Sequence, residues 1–252
     1  SLKTDWKHFN DVLGGLQRGC LYIIAARPGD GKTDFALHLA VQLAKRCRVD
    51  YRSLEMTKEQ LVHRVLSRVC MINSTRFRDH DLDENAQKRI GIAAARMGDL
   101  HLVMDDTPGV SAGDVEAKLA SGKPDVMFID YLGLMRGDAA GNKPLWQITG
   151  EITHALKESA RRHGTAVVAL VQLARAADRQ KEPALSDLKG GSDIEADADG
   201  VIFMRPQKTG EFLSGDDAWP VEAVIAKNRH GGVGRLRFNW QPQYHNYVPT
   251  DN

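Results

Sequence analysis

The run Ala26-Arg27-Pro28-Gly29-Asp30-Gly31-Lys32-Thr33 places two glycines, a lysine and a hydroxyl in the order that cradles a polyphosphate. Gly29 and Gly31 allow backbone N–H groups to converge on phosphate oxygens at a helix N-terminus, where the helix dipole also favours an anion. Lys32 is expected to reach the β and γ phosphates, and Thr33 to hold Mg²⁺ through its hydroxyl. Arg27, Asp30 and Asp34 border the same loop and complete its candidate nucleotide-binding set. The first position of the usual pattern is glycine; here it is Ala26. An ordinary glycine-rich strand-to-helix turn is the alternative, and the adjacent Lys-Thr pair between a strand and a helix weighs against it.

Two carboxylates extend this chemistry. Val126-Met127-Phe128-Ile129-Asp130 is an apolar run ending in an acid, where a parallel sheet presents groups to a ligand crevice, so Asp130 is the candidate metal carboxylate beside Thr33. A strand-end Asp is as often a helix cap; the phosphate loop tips the reading towards metal. Glu55, within Ser53-Leu54-Glu55-Met56, could polarise a water for attack on a γ-phosphate, or could be a surface acid at a strand end.

Positioning these residues requires a sheet with helices on its faces. Apolar runs predict strands over 21–26, 49–54, 100–104, 126–129, 166–171, 200–204 and 221–226, mostly followed by helical pattern. Phe35, Leu39 and Leu43 share one helical face; Ile148, Ile152, Leu156 and Ser159 share another. This alternation predicts an α/β fold with a mainly parallel sheet. Runs 221–227 and 234–240, flanking Arg229-His230-Gly231-Gly232, predict an antiparallel hairpin at the sheet edge. Two long polar loops, 136–144 and 175–192, have the length of functional loops.

Composition sets the bounds. With 252 residues, 42% of them hydrophobic, the chain is expected to form one domain over 1–252. The 34 basic against 33 acidic side chains leave a net charge of +1, so any nucleic-acid contact must be local. Three single cysteines at unpaired spacing argue against a zinc site or disulfide framework and fit a reducing cytoplasm. No run approaches the length of a membrane span, so no membrane partner is expected.

The motifs together resemble the C-terminal motor domain of DnaB-type replicative helicases across nearly the whole chain. The likeness rests on Leu13-Gly14-Gly15-Leu16, Gly31-Lys32-Thr33, Ser53-Leu54-Glu55-Met56 with Arg64, Asp105-Asp106-Thr107-Pro108-Gly109, Ile129-Asp130-Tyr131-Leu132, Gln172-Leu173 with Arg175, Ile194-Glu195 with Asp197-Ala198-Asp199, and Ala226-Lys227 with Arg229. It implies a RecA-like P-loop NTPase using ATP and Mg²⁺, with Glu55 as catalytic glutamate, Gln172 as γ-phosphate sensor and Arg64 as a further nucleotide-site arginine. Lys227 and Arg229 match the pair that reaches a neighbouring subunit's ATP site; from residues alone they read as a solvated basic hairpin. The two polar loops match those that grip single-stranded DNA in a ring, through Arg136 and Lys143 in the first and Arg175, Arg179, Lys181, Lys189, Gly190 and Gly191 in the second. The implied assembly is a homo-hexamer translocating 5′ to 3′, with primase and a helicase loader as possible partners. Departures are Gly190 in place of an acid, Gly133 in place of Gln and His230 in place of Asn. The family's N-terminal collar and linker helix are not expected here, so the chain reads as an excised motor or a compact phage or plasmid relative.

His38, His63, His154 and His163 read as surface or helix-face residues, and no metal cluster is expected. Asp105-Asp106 reads as a turn, and Trp219 and Trp240 as packing; Trp146, beside the first loop, is the tryptophan placed to stack a base. Two other functions compete: a RecA-like recombinase or recombination mediator, and a nucleotide-dependent protein-binding ring. Unwinding separates the helicase from the first, and single-strand binding from the second.

Overall fold

The computed structural model describes residues 1–137, 143–173, 184–188, 191–207 and 218–250. Among these residues nine strands form one sheet: β1 (Leu21–Ala26), β2 (Val49–Ser53), β3 (Leu102–Asp105), β4 (Val126–Asp130), β5 (Ala166–Gln172), β6 (Gly200–Pro206), β7 (Trp219–Asn228), β8 (Gly234–Gln241) and β9 (Asn246–Pro249). Their order is β3-β2-β4-β5-β1-β6-β7-β8-β9. Pairing is parallel from β3 to β6 and antiparallel from β6 to β9. The expected α/β architecture is therefore present. One correction applies at the edge: the β7–β8 hairpin is internal, because β9 pairs with β8 and covers it.

The helices are α1 (Lys7–Leu13), α2 (Lys32–Ala44), α3 (Lys58–Cys70), α4 (Ser74–Arg78), α5 (Glu84–Gly98), α6 (Ala112–Gly122), α7 (Leu145–His163) and α8 (Gly191–Asp197). The sheet's two faces carry separate cores. One packs α1, α2 and the β7–β8–β9 segment around Trp6, Phe9, Phe35, Phe238 and Tyr247; the other packs α6, α7 and α8 around Ile152, Leu156 and Ile194. The central strands, buried on both faces, read as continuous apolar runs for this reason. A satellite cluster joins α3, α4 and α5 through Leu66, Phe77 and Ala93.

Phe35, Leu39 and Leu43 are buried as their spacing predicts, but α2 is enclosed on its other sides as well, with Ala36, Ala40 and Val41 also buried. That enclosure corrects the surface reading of His38, whose ring packs edge-on against Trp6 at 4.7 Å. Among the described residues no helix is long and apolar enough to cross a membrane.

Candidate active site

The phosphate loop leaves the carboxyl end of β1 and enters α2 through Gly31, which serves as N-cap at φ 79°. Gly29 (φ 80°) and Gly31 both occupy the left-handed region, which other residues enter only under strain. At Gly31 a Cβ would also fall on the Tyr247 hydroxyl and the Trp240 ring, so the close approach excludes any side chain. A Cβ at Gly29 would meet no atom within 4 Å, so that side of the loop is open. In front of the loop lies a cavity of about 500 Å³. Arg27, Gly29, Gly31, Lys32, Thr33 and Asp34 line it, and Glu55, Arg64 and Gln172 join them from elsewhere in the chain.

Strand register explains the convergence. Ala26 is paired with Gln172, and Ser53 with Asp130, so four strand ends open on one rim. Leu54 N–H donates to the Asp130 carbonyl at 2.7 Å, which holds the Glu55 segment beside β4. Asp130 is fully buried, and its carboxylate accepts from Lys32 Nζ (3.3 Å) and the Tyr51 hydroxyl (3.0 Å). Lys32 also lies 4.7 Å from the Tyr131 ring centre. Burial, then the nearby Glu55 and Asp130 carboxylates, pushes the Tyr131 hydroxyl up. A glycine cradle, a lysine ion-paired to a buried acid, and a hydroxyl at the first helical turn fit a nucleoside triphosphate with a divalent ion. Thr33 and Asp130 could hold that ion.

Asp34 lines the same cavity, yet its carboxylate is spent on protein. Oδ1 accepts from Arg64 Nη1 at 2.7 Å; Oδ2 accepts from Trp240 Nε1 at 3.2 Å and faces His245 Nδ1 at 3.1 Å. Burial works to raise its pKa, but the His245 hydrogen bond and the Arg64 charge hold it below the ordinary carboxylate value. The Asp34 carboxylate thus anchors Arg64 at the cavity wall. A Thr57–Gln60 capping box starts α3 and fixes the turn that carries Arg64. Tyr247 donates from its hydroxyl to the Gly31 carbonyl at 3.2 Å. The sequence alone assigns Trp240 to packing and gives no sign of His245 or Tyr247; no local pattern marks them, since they reach the loop from the last strands.

Lys227 and Arg229 lie at the opposite end of the sheet. Gly200 pairs with both Tyr22 and Asn228, which sets the end of β7 level with the start of β1. At about 3.3 Å per residue, the phosphate loop is then roughly 15–20 Å away, beyond an arginine's reach. Lys227 Nζ donates to the Glu195 carbonyl, Arg229 Nη2 donates to the Ala196 carbonyl at 2.6 Å, and Arg229 Nη1 stands 3.6 Å from Asp199. Burial, then the Arg229 charge, lowers the Lys227 pKa. Asp199 also accepts from Leu21 N–H and from Lys157, at 2.7 and 2.5 Å.

Of the loop residues, Arg136 is exposed and hydrogen-bonded through its backbone to Val110, and Lys143 pairs with Glu151 at 2.7 Å. Arg175, Arg179, Lys181, Lys189 and Gly190 lie outside the described residues; Gly191 opens α8. Within the stretch expected as the second loop, a 3-10 turn covers Leu185–Asp187 and α8 begins at Gly191. Trp146 is 60% exposed at the first turn of α7, while Trp240 is buried.

Residues 1–249 match the family described as DnaB-like helicase C terminal domain. The chain belongs to that family. Among DnaB-like relatives, it is 32% identical to the replicative DNA helicase DnaC of Bacillus subtilis, covering 98% of this chain and 56% of the relative. The replicative DNA helicase DnaB of Geobacillus stearothermophilus gives the same identity and coverage. The chain thus spans a little over half the length of the curated relatives it matches. Among solved structures, an isolated ATPase domain superposes with a TM-score of 0.89 at 28% identity, over 98% of this chain and 90% of that one. A DnaB-like replicative helicase, solved in a study of its interactions with primase, gives a TM-score of 0.89 at 27% identity, over 98% and 61%. These likenesses agree with the RecA-like fold and the DnaB-type resemblance read from the sequence.

Proposed function

We propose that this chain is the motor of a replicative DNA helicase, hydrolysing ATP with Mg²⁺ to move 5′ to 3′ along single-stranded DNA as a homo-hexameric ring. The observation that carries this reading is the division of the site across the sheet in a DnaB-family chain. Lys32, Thr33, Glu55, Asp130 and Gln172 form one half-site, and Lys227 and Arg229 sit too far away to complete it in the same subunit. In a ring, the pair reaches the neighbour's nucleotide. Lys32 exchanges Asp130 for the β and γ phosphates and Glu55 orients the attacking water; Asp130 and Thr33 would hold the divalent ion, which would supply countercharge to the phosphates. Arg229 stabilises charge on the transferring phosphoryl group, and Gln172 senses the γ-phosphate from the end of β5. Arg136 and Lys143, with the second-loop residues, grip the DNA backbone, and six copies repeat their modest charge along one strand. The curated relatives are replicative helicases and one solved relative was studied with primase, which supports a primase as partner and leaves a helicase loader as a further candidate.

ATP turnover per subunit, measured against protein concentration with and without a single-stranded oligonucleotide, tests this. Turnover should rise with both, and a forked duplex with a 5′ tail should be unwound. Turnover independent of DNA at concentrations where the ring is formed would refute the helicase reading.

A further inference from the structure

One helical turn along both α2 and α3 from the nucleotide crevice lies a second cavity of about 390 Å³. Asp34 and Arg64 line the crevice; His38 and Arg68, each four residues further on, line this cavity. Lys45 and Arg96 face it as well, while Val65, Val69, Ala93, Met97 and Leu100 form an apolar wall. Its one acidic lining residue, Asp5, is neutralised by Lys45 at 2.7 Å and Arg46 at 2.8 Å.

Arg68 is the anomaly. It is 8% exposed, and among the described residues its guanidinium has no hydrogen bond or ion pair, whereas Arg64 one turn earlier pairs with Asp34. Burial pushes the Arg68 pKa down to about 10, against the raising effect of the Asp34 charge. The buried Nδ1 of His38 also lacks a partner. Burial, then the Arg68 and Lys45 charges, drives the His38 pKa down to about 2, so its ring is neutral.

We propose that this cavity binds a phosphate monoester, its dianion held by Arg68, Arg96 and His38 and its organic body lying on the apolar wall. Two guanidinium cations and an imidazole match a dianion better than a single carboxylate charge. The volume and the valine, methionine and leucine wall exceed the needs of inorganic phosphate and suit a small organic ligand. A dianion beside His38 opposes the Arg68 and Lys45 charges, which add to the effect of burial, so the His38 pKa rises when the ligand binds. This site does not depend on the helicase reading.

The test is calorimetry and ¹⁵N-histidine NMR with the nucleotide crevice saturated by Mg²⁺ and ADP, using phenyl phosphate and inorganic phosphate as probes. Phenyl phosphate should bind one-to-one, about tenfold or more weaker in Arg68→Met, and with the His38 pKa rising on saturation. Arg68→Met should melt above the parent in phosphate-free buffer, since it removes an unpaired buried charge, and this separates lost binding from lost folding. Should that variant fail to fold, His38→Gln carries the same comparison. Equal affinity for the two probes would overturn the ester assignment. No saturable binding of either probe, or binding unaffected by Arg68→Met and His38→Gln, would overturn the site itself.

Discussion

At the carboxyl ends of β1 and β5, Lys32 and Gln172 face one cavity, the buried Asp130 at the end of β4 pairs with Lys32 behind it, and partners from distant segments fix the phosphate loop. At the amino end of the same sheet, the α8 carbonyls and Asp199 hold Lys227 and Arg229. The first region is built to receive a polyphosphate. The second stores two cations against a helix C-terminus, where the dipole favours positive charge. On the proposed reading, one chain carries both components of a phosphoryl-transfer site at opposite ends of its sheet, and only a second copy unites them.

The largest effect expected is that of Arg229→Ala. An arginine supplied across an interface is worth about 10³ to 10⁵ in rate, so turnover should fall by that factor while nucleotide affinity of the isolated chain stays as it was. A large loss of affinity in the isolated chain would place Arg229 in its own crevice and dissolve the contrast between the two ends. Next is Glu55→Gln, which keeps the shape of the side chain but removes the carboxylate; turnover should drop roughly 10²- to 10⁴-fold with nucleotide binding retained, measured by single-turnover hydrolysis.

Tyr247→Phe sharpens the comparison from the other side. It removes the hydroxyl that donates to the Gly31 carbonyl, so nucleotide affinity should weaken by roughly 1 kcal/mol, about fivefold, with no change in any activity that depends on Arg229. The smallest effect concerns pH. The Asp34 carboxyl is held below its ordinary value of 3.8 in the folded chain, so its contribution to stability is complete above that unfolded value and is lost as pH falls through the lower folded one. Asp34→Asn should reduce stability at neutral pH and flatten the acid limb of the melting curve relative to the parent.

What could be read from the sequence followed from how local the signal was. β1 is legible because six buried apolar residues run directly into the glycine loop, and Asp130 because an acid closes an equally apolar strand. The Asp34 cluster was hidden, since Trp240 and His245 lie 206 and 211 residues from it and no window spans that distance. β9 escaped notice because four residues are too few to show an alternation, although Tyr247 from that strand steadies the phosphate loop. His38 looked like a surface residue because helical period identifies one buried face, whereas Trp6 covers another. A finger role for Lys227 and Arg229 is suggested only by resemblance: two basic residues near a hairpin look alike whether they serve solvent or a neighbour, and the register of β6 and β7 adds how far from their own crevice they stand.

The most direct measurement of the central claim is a mixing experiment with two inactive variants, Lys32→Ala and Arg229→Ala. Each alone should show almost no ATP turnover. In a mixed assembly, an intact phosphate loop on an Arg229→Ala subunit meets an intact Arg229 on a Lys32→Ala neighbour, so turnover should reappear and peak near equal proportions. If mixed assemblies form, as shown by native mass spectrometry, and turnover stays at the level of the single variants, the two ends of the sheet do not complete one site across a subunit boundary.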